Sequence, residues 1–238
     1  MTATATRPEQ DAPAPAPGPR GRGLRAALLA VIAVALVALG GGLAVGLGIG
    51  ASGTPTADSV DAGFSRDMAV HHRQGVEMAN LALDRSADPE VRQLAFDISS
   101  TQTNQAGQME GWLALWGLPR SGGDHMAWMG DAHAGHDMSG MSSDTSSDSD
   151  GALMPGMATE TELAELRTLT GTEFDVQFLR LMTRHHQGGF DMAQYAAENA
   201  SEAAVRTLAR SIAETQTAEV TTMVGMLTAR GGTPLPAP

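Results

Sequence analysis

The 238-residue chain contains no cysteine. That removes a disulfide frame, a thiolate metal site and an acceptor for a lipid anchor near the N-terminus, while selecting no particular compartment. Aromatic residues make up only 4% of the chain, so a core has to be built mainly from Ala, Leu and Met. Such a core lets helices approach closely and leaves little margin of stability. Positive charge is scarce as well: 15 Lys and Arg stand against 27 Asp and Glu, a formal net charge of -12. Arg7, Arg20, Arg22 and Arg25 all precede the main body, which is therefore more acidic still, and nucleic acid does not fit as a partner. No stretch alternates apolar and polar residues long enough to make a strand. E-x-x-H, H-E-x-x-H and G-x-S-x-G are all missing, and no Gly-rich phosphate loop follows a strand. These gaps argue against a carboxylate-bridged di-iron site, a zinc protease and a serine hydrolase, and no catalytic constellation takes their place.

What the chain does contain is one unit written twice. Met68, His71, His72, Gly75, Met78 and Ala79 recur 114 positions later as Met182, His185, His186, Gly189, Met192 and Ala193. The match extends from Phe64 onto Phe178, through Ile98 onto Ile212 and Gln102 onto Gln216, to Met109 onto Met223. A repeat of this kind sets the fold before any local reading does.

Composition divides the rest. Residues 1–23 are rich in Pro and Ala and read as an extended cytoplasmic tail. Residues 24–50 are apolar and long enough to cross a bilayer, which takes about 20 residues. Arg20 and Arg22 lie just before them and Arg25 at their start, which places the N-terminus inside and the remainder outside the cytoplasmic membrane. A cleaved signal peptide shares these features. The length of the run, its later glycines and the lack of a clear A-x-A site favour a retained single-pass anchor, and either reading puts the main body outside. Residues 51–60 then form a linker to a folded region over 61–232.

In that region, Phe64, Met68, His71, Gly75 and Met78 step by three and four, which predicts a helix over 61–87. Asp88, Pro89 and Glu90 start a second helix, closed by Gly117 and Pro119, so that 61–117 form a helical hairpin. Thr172 as a cap and the Ser201-Glu202 pair predict the second hairpin over 172–230. Thr159 and Glu162 have the spacing of a capping box for a short helix at 163–169, within a 159–170 segment. The polar stretch 118–158 reads as a linker without a core of its own. Each hairpin leaves an apolar stripe exposed, and packing the two face to face gives an all-α four-helix bundle with an approximate internal two-fold.

Imidazole nitrogen and thioether sulfur on one helical face suit a soft or borderline metal, copper above all. The ligand candidates are His71, His72, His185 and His186, assisted by Met68 and Met182. Met78 and Met192 also serve equally well as packing. Folding each hairpin at its turn brings Gln102, Gln105 and Met109 near the first pair of histidines, and Gln216, Glu219 and Met223 near the second, so the second site gains a carboxylate. Glu77 and Asp191 fall on the far side of the helical wheel. The linker adds His125, Met126, Met129, His133, His136, Met138 and Met141, with Met154 and Met157, in M-x-x-M pairs that read as a flexible copper-collecting tail. Met223 and Met226 repeat that spacing inside a helix, where packing explains it.

These motifs resemble the bacterial family grouped as domain of unknown function 305, marked by M-x-x-H-H-x-x-(G/A)-x-x-M-A. The resemblance covers about residues 61–232 and includes the Met154-Pro155-Gly156-Met157 lead-in. It implies a ferritin-like helical bundle, secreted or membrane-anchored, and a copper ion as ligand, Cu(I) favoured with Cu(II) also open. Arg73 stands where the second copy has the more usual Gln187, and a cation there would oppose metal binding. The chain thus reads as an envelope-anchored copper-binding protein for sequestration, tolerance or relay. A homo-oligomer or a copper-handling protein partner is compatible with this. A metal-dependent redox enzyme, which would need an open coordination position, and a structural module with core histidines are the rival readings.

Overall fold

The computed structural model describes residues 53–130 and 152–238, together with Leu29. The chain divides at Gly53, and the unit Thr54–Pro238 carries everything discussed below. Its described residues hold five helices: α1 Val60–Arg85, α2 Pro89–Leu115, α3 Glu160–Leu166, α4 Gly171–Asn199 and α5 Ala203–Ala229. The described residues include no strand. None of their helices is long and apolar enough to cross a membrane, and the span expected over 24–50 lies outside the described residues.

Local chemistry sets most of the boundaries. The Ser59 hydroxyl accepts from Ala62 N at 3.2 Å and starts α1. Asp88 accepts from Glu90 N at 2.9 Å and Val91 N at 3.4 Å, while Pro89 occupies a position whose missing N–H costs nothing. Gly117, at φ 69°, turns the chain out of α2. The capping box at Thr159 and Glu162 is present with both bonds, and it places α3 three residues earlier than expected. Two caps differ from expectation. Thr170 rather than Thr172 precedes α4, and its side chain makes no capping bond. At α5, neither Ser201 nor Glu202 caps with its own side chain. The carboxylate of Asp61, on the other hairpin, accepts from Ser201 N at 3.0 Å and Glu202 N at 2.7 Å. The helix start is therefore capped across the bundle, and spacing along one segment cannot reveal that.

Helices α1 and α2 form one hairpin and α4 and α5 the other, with α1 packed on α4 between them. Arg230, just past α5, hydrogen-bonds Asp88 and, at 3.4 Å, Glu90. This bond to the guanidinium holds the Asp88 carboxyl below its ordinary range and ties the end of one hairpin to the turn of the other. The apolar core falls into two clusters. One contains Phe64, Met68, Met109, Trp128 and Met192, and the other Met78, Phe174, Phe178, Met182 and Met223.

The linker is less free than its polarity suggests. Met126, Trp128, Met129, Met154 and Met157 are all buried in the first cluster. Two side chains of α1 fasten these pieces. Asp67, itself buried, accepts from His125 Nδ1, Met126 N and Trp128 Nε1, each at 2.8 Å. Gln74 clamps Ala158 on both sides, accepting from its N–H at 2.7 Å and donating to its carbonyl at 2.9 Å. The backbone of Pro155 and Gly156 lies so close to Gly188 that a Cβ there would come within 2.1 Å of Pro155 O. Thus 125–130 and 154–158 belong to the folded body, because buried polar partners on α1 satisfy their backbone.

Candidate metal centre

His71 and His72 lie midway along α1, and His185 and His186 midway along α4, where the two hairpins meet. Close approach is possible because each helix has a glycine one turn on. A Cβ on Gly75 would sit 3.1 Å from His185 Cε1, and one on Gly189 would sit 3.1 Å from His71 Cε1. The same two positions face Gln102 Oε1 at 2.2 Å and Gln216 Oε1 at 2.8 Å, so the packing is reciprocal between the repeats. As a result, the rings of His71 and His185 stack with centroids 3.8 Å apart at 32°.

All four imidazoles are fully buried, and each spends Nε2 on an acceptor. His71 reaches Pro155 O at 3.3 Å, and His185 reaches His71 O at 3.1 Å. His72 reaches Gln105 Oε1 at 2.8 Å, and His186 reaches Glu219 Oε2 at 2.7 Å. A carbonyl or carboxylate oxygen can only accept, so Nε2 carries the hydrogen and Nδ1 the lone pair. All four Nδ1 atoms are buried without a partner. Burial also discourages protonation. It pushes His71 down to about 4 and His72 to about 3, and, helped by the neighbouring rings, takes His185 well below the usual histidine value. Neutral rings with an unused nitrogen, as at His71, His72 and His185, are in the state a metal requires, and an N–H held by a second group is the usual way to orient a metal-binding histidine.

The six motif methionines are buried as well, but divided. Met68, Met109 and Met192 belong to one cluster, while Met182, Met223 and Met78 belong to the other. The crossing of α1 and α4 therefore groups Met78 with Met182 and Met223 rather than with Met68, about three turns earlier on the same helix. Among the described residues no group of three or more His, Asp and Glu side chains is gathered to hold a metal.

Outside this centre, Glu77 pairs with Arg167 at the surface, and Arg73 turns outward to Glu110. His125 is held by Asp67, and Met126 and Met129 pack in the core. His133, His136, Met138 and Met141 lie outside the described residues. The sequence reading missed Asp67, Gln74 and Gly188. A signal was available: Asp67 and Gln74 correspond to Leu181 and Gly188 in the second copy, and these breaks in an otherwise faithful repeat mark where the linker docks.

The model of the domain of unknown function DUF305 matches residues 61–227. The chain belongs to the DUF305 family. A family member from Streptomyces coelicolor, provisionally described as secreted, is 43% identical with a TM-score of 0.65, covering 76% of this chain and 99% of its own. A DUF305 fragment from Deinococcus radiodurans is 35% identical with a TM-score of 0.57, covering 74% and 99%. CopM in its Cu(II)-bound form is 25% identical with a TM-score of 0.51, covering 72% of this chain and 97% of CopM. No curated protein matches the sequence.

Proposed function

We propose that this DUF305 protein binds copper outside the cytoplasm, held at the membrane by residues 24–50, and serves to sequester or relay the ion rather than to turn over a substrate. The observation that carries this reading is the set of four buried imidazoles, each with Nε2–H hydrogen-bonded and Nδ1 left without a partner. An unpaired buried acceptor costs about 1–3 kcal/mol, and a fold that keeps four of them has a use for them. His71, His72, His185 and His186 would supply nitrogen. Met68, Met109 and Met192 on one side, and Met182, Met223 and Met78 on the other, would supply sulfur. Bound copper would contribute a soft acceptor for these donors, and the protein's part is to hold His71, His72 and His185 neutral, orient all four rings through their Nε2 partners and exclude water. CopM was solved with Cu(II), which supports the choice of metal.

Titration of the full chain with Cu(II), and anaerobically with Cu(I) and Ag(I), tests the proposal. Binding tighter than micromolar that falls when His71 and His185 are both replaced by Ala supports it. No binding, with melting unchanged by copper, would leave the histidines as core hydrogen-bonding groups. Catalytic oxidation of Cu(I) by the loaded protein would move the reading to a redox enzyme.

A further inference from the structure

We propose that the two repeats offer unequal metal sites, with Glu219 as the positioning residue that biases the second towards a divalent ion while the first keeps a preference for a monovalent one. This rests on the copper reading above and assigns selectivity within it. The comparison is internal: Gln105 and Glu219 occupy the same place in their repeats, 114 residues apart. Each meets the same ring atom of its histidine, Nε2, at 2.8 Å and 2.7 Å. Position and distance are matched, so what remains is an amide in one repeat and a carboxylate in the other.

The chemical consequence follows from that difference. A carboxylate on Nε2–H draws the proton towards itself and enriches the ring, so Nδ1 of His186 becomes the stronger donor. It also places a full negative charge beside the site, and the attraction is twice as large for a divalent cation as for a monovalent one at any given distance. His72, hydrogen-bonded to neutral Gln105, has neither advantage, which leaves the singly charged, softer ion less disfavoured there.

The surroundings differ in the same sense. Beside His186 and Gln216, a surface pocket of about 450 Å³ opens between α4 and α5. The Glu219 side chain is 20% exposed while that of His186 is closed off from solvent. In the first repeat Arg73 stands in place of Gln187, and it pairs with Glu110, which also holds Arg120 at 3.2 Å. The second copy has neither cation nor acid at these places but Gln187 and Val224. Beside the first repeat two guanidiniums therefore share one carboxylate, an excess of positive charge that the second repeat lacks at the corresponding Gln187 and Val224.

The test uses the full chain with Cu(II) and, separately, anaerobic Cu(I), each titrated against a competing chelator, and electron paramagnetic resonance of the Cu(II) form. The wild-type chain should take up Cu(II) in two unequal steps. Glu219→Gln should weaken the tighter step about 10–100-fold, the range seen when an outer partner of a metal-bound histidine is lost. Cu(I) affinity should change much less. Gln105→Glu should move the first repeat the opposite way, towards Cu(II), and alter the nitrogen couplings in the resonance spectrum. Both changes are nearly isosteric, and circular dichroism checks the fold. Two equal Cu(II) steps, or equal losses of Cu(I) and Cu(II) affinity in Glu219→Gln, would overturn the assignment while leaving copper binding intact. A wild-type chain that binds neither ion overturns both proposals.

Discussion

Replacing Gln74 by Leu probes how the tail end of the linker is fixed to the bundle. The substitution keeps side-chain bulk and deletes the two bonds to Ala158, at 2.7 and 2.9 Å, although Ala158 is only 1% exposed. A buried N–H and a buried carbonyl are then unpaired, at about 1–3 kcal/mol each. The loss has a ceiling, because the segment can detach and hydrate, giving up the burial of Met154 and Met157 at about 1.5–3 kcal/mol apiece. The expected destabilisation is about 2–4 kcal/mol. With a urea slope of about 2 kcal/mol per molar, the unfolding midpoint falls by roughly 1–2 M. Gly188→Ala attacks the same segment from the other side, since its Cβ would lie 2.1 Å from Pro155 O, a backbone atom that cannot rotate away. Once either change has expelled the segment the other has little left to disrupt, so the double variant should cost about as much as the worse single one. Chemical denaturation of the four proteins reads the cycle. A Gln74→Leu loss below about 0.5 kcal/mol, or strict additivity with Gly188→Ala, would refute the claim that the two residues hold one docked segment.

Acid should destabilise the metal-free protein. The unfolded chain protonates its histidines near pH 6.5, whereas His71 resists to about 4 and His72 to about 3. The unfolded state binds more protons in that window, so stability falls as pH is lowered through it and is unaffected by these rings above it, with a slope of about 1.4 kcal/mol per pH unit for each ring. Urea midpoints at pH 7, 6 and 5 measure this, and His72→Gln should flatten the slope. Asp67→Asn should cost about 2–3 kcal/mol, because an amide presents N–H to a site lined with three donors. Loss of Trp128 burial should appear as a red shift in fluorescence. Asp61→Ala removes the acceptor for Ser201 N and Glu202 N and should lower stability by about 1–2 kcal/mol, with amide exchange accelerated at the start of α5.

The repeat was the strongest signal in the sequence, and it carried the four long helices, their hairpin pairing and the central place of His71, His72, His185 and His186. Caps with their own acceptor beside them, such as Asp88 and Thr159, could be read directly. What escaped was held by groups far apart in the chain: Asp61 at the start of α5, Asp67 on residues 125–128, and Gln74 on Ala158. No local pattern records such pairings. Polarity misled for the linker, since its few methionines and Trp128 find a core built by other segments. The placing of Met78 with Met182 and Met223 depended on how α1 crosses α4, which a single helical wheel cannot supply.

Asp67 and Gln74 stand seven residues apart on α1, or about 10 Å at the helical rise of 1.5 Å per residue. They receive Met126 and Ala158, so two points well separated in the chain are fastened at nearly one place on the helix. The chain between those two anchors therefore adds its length to the register of neither hairpin. Evolution is free to lengthen it, shorten it or change its stock of histidine and methionine without disturbing the helices that frame the buried rings, and a sequence inserted there by design should leave the bundle's melting nearly unmoved.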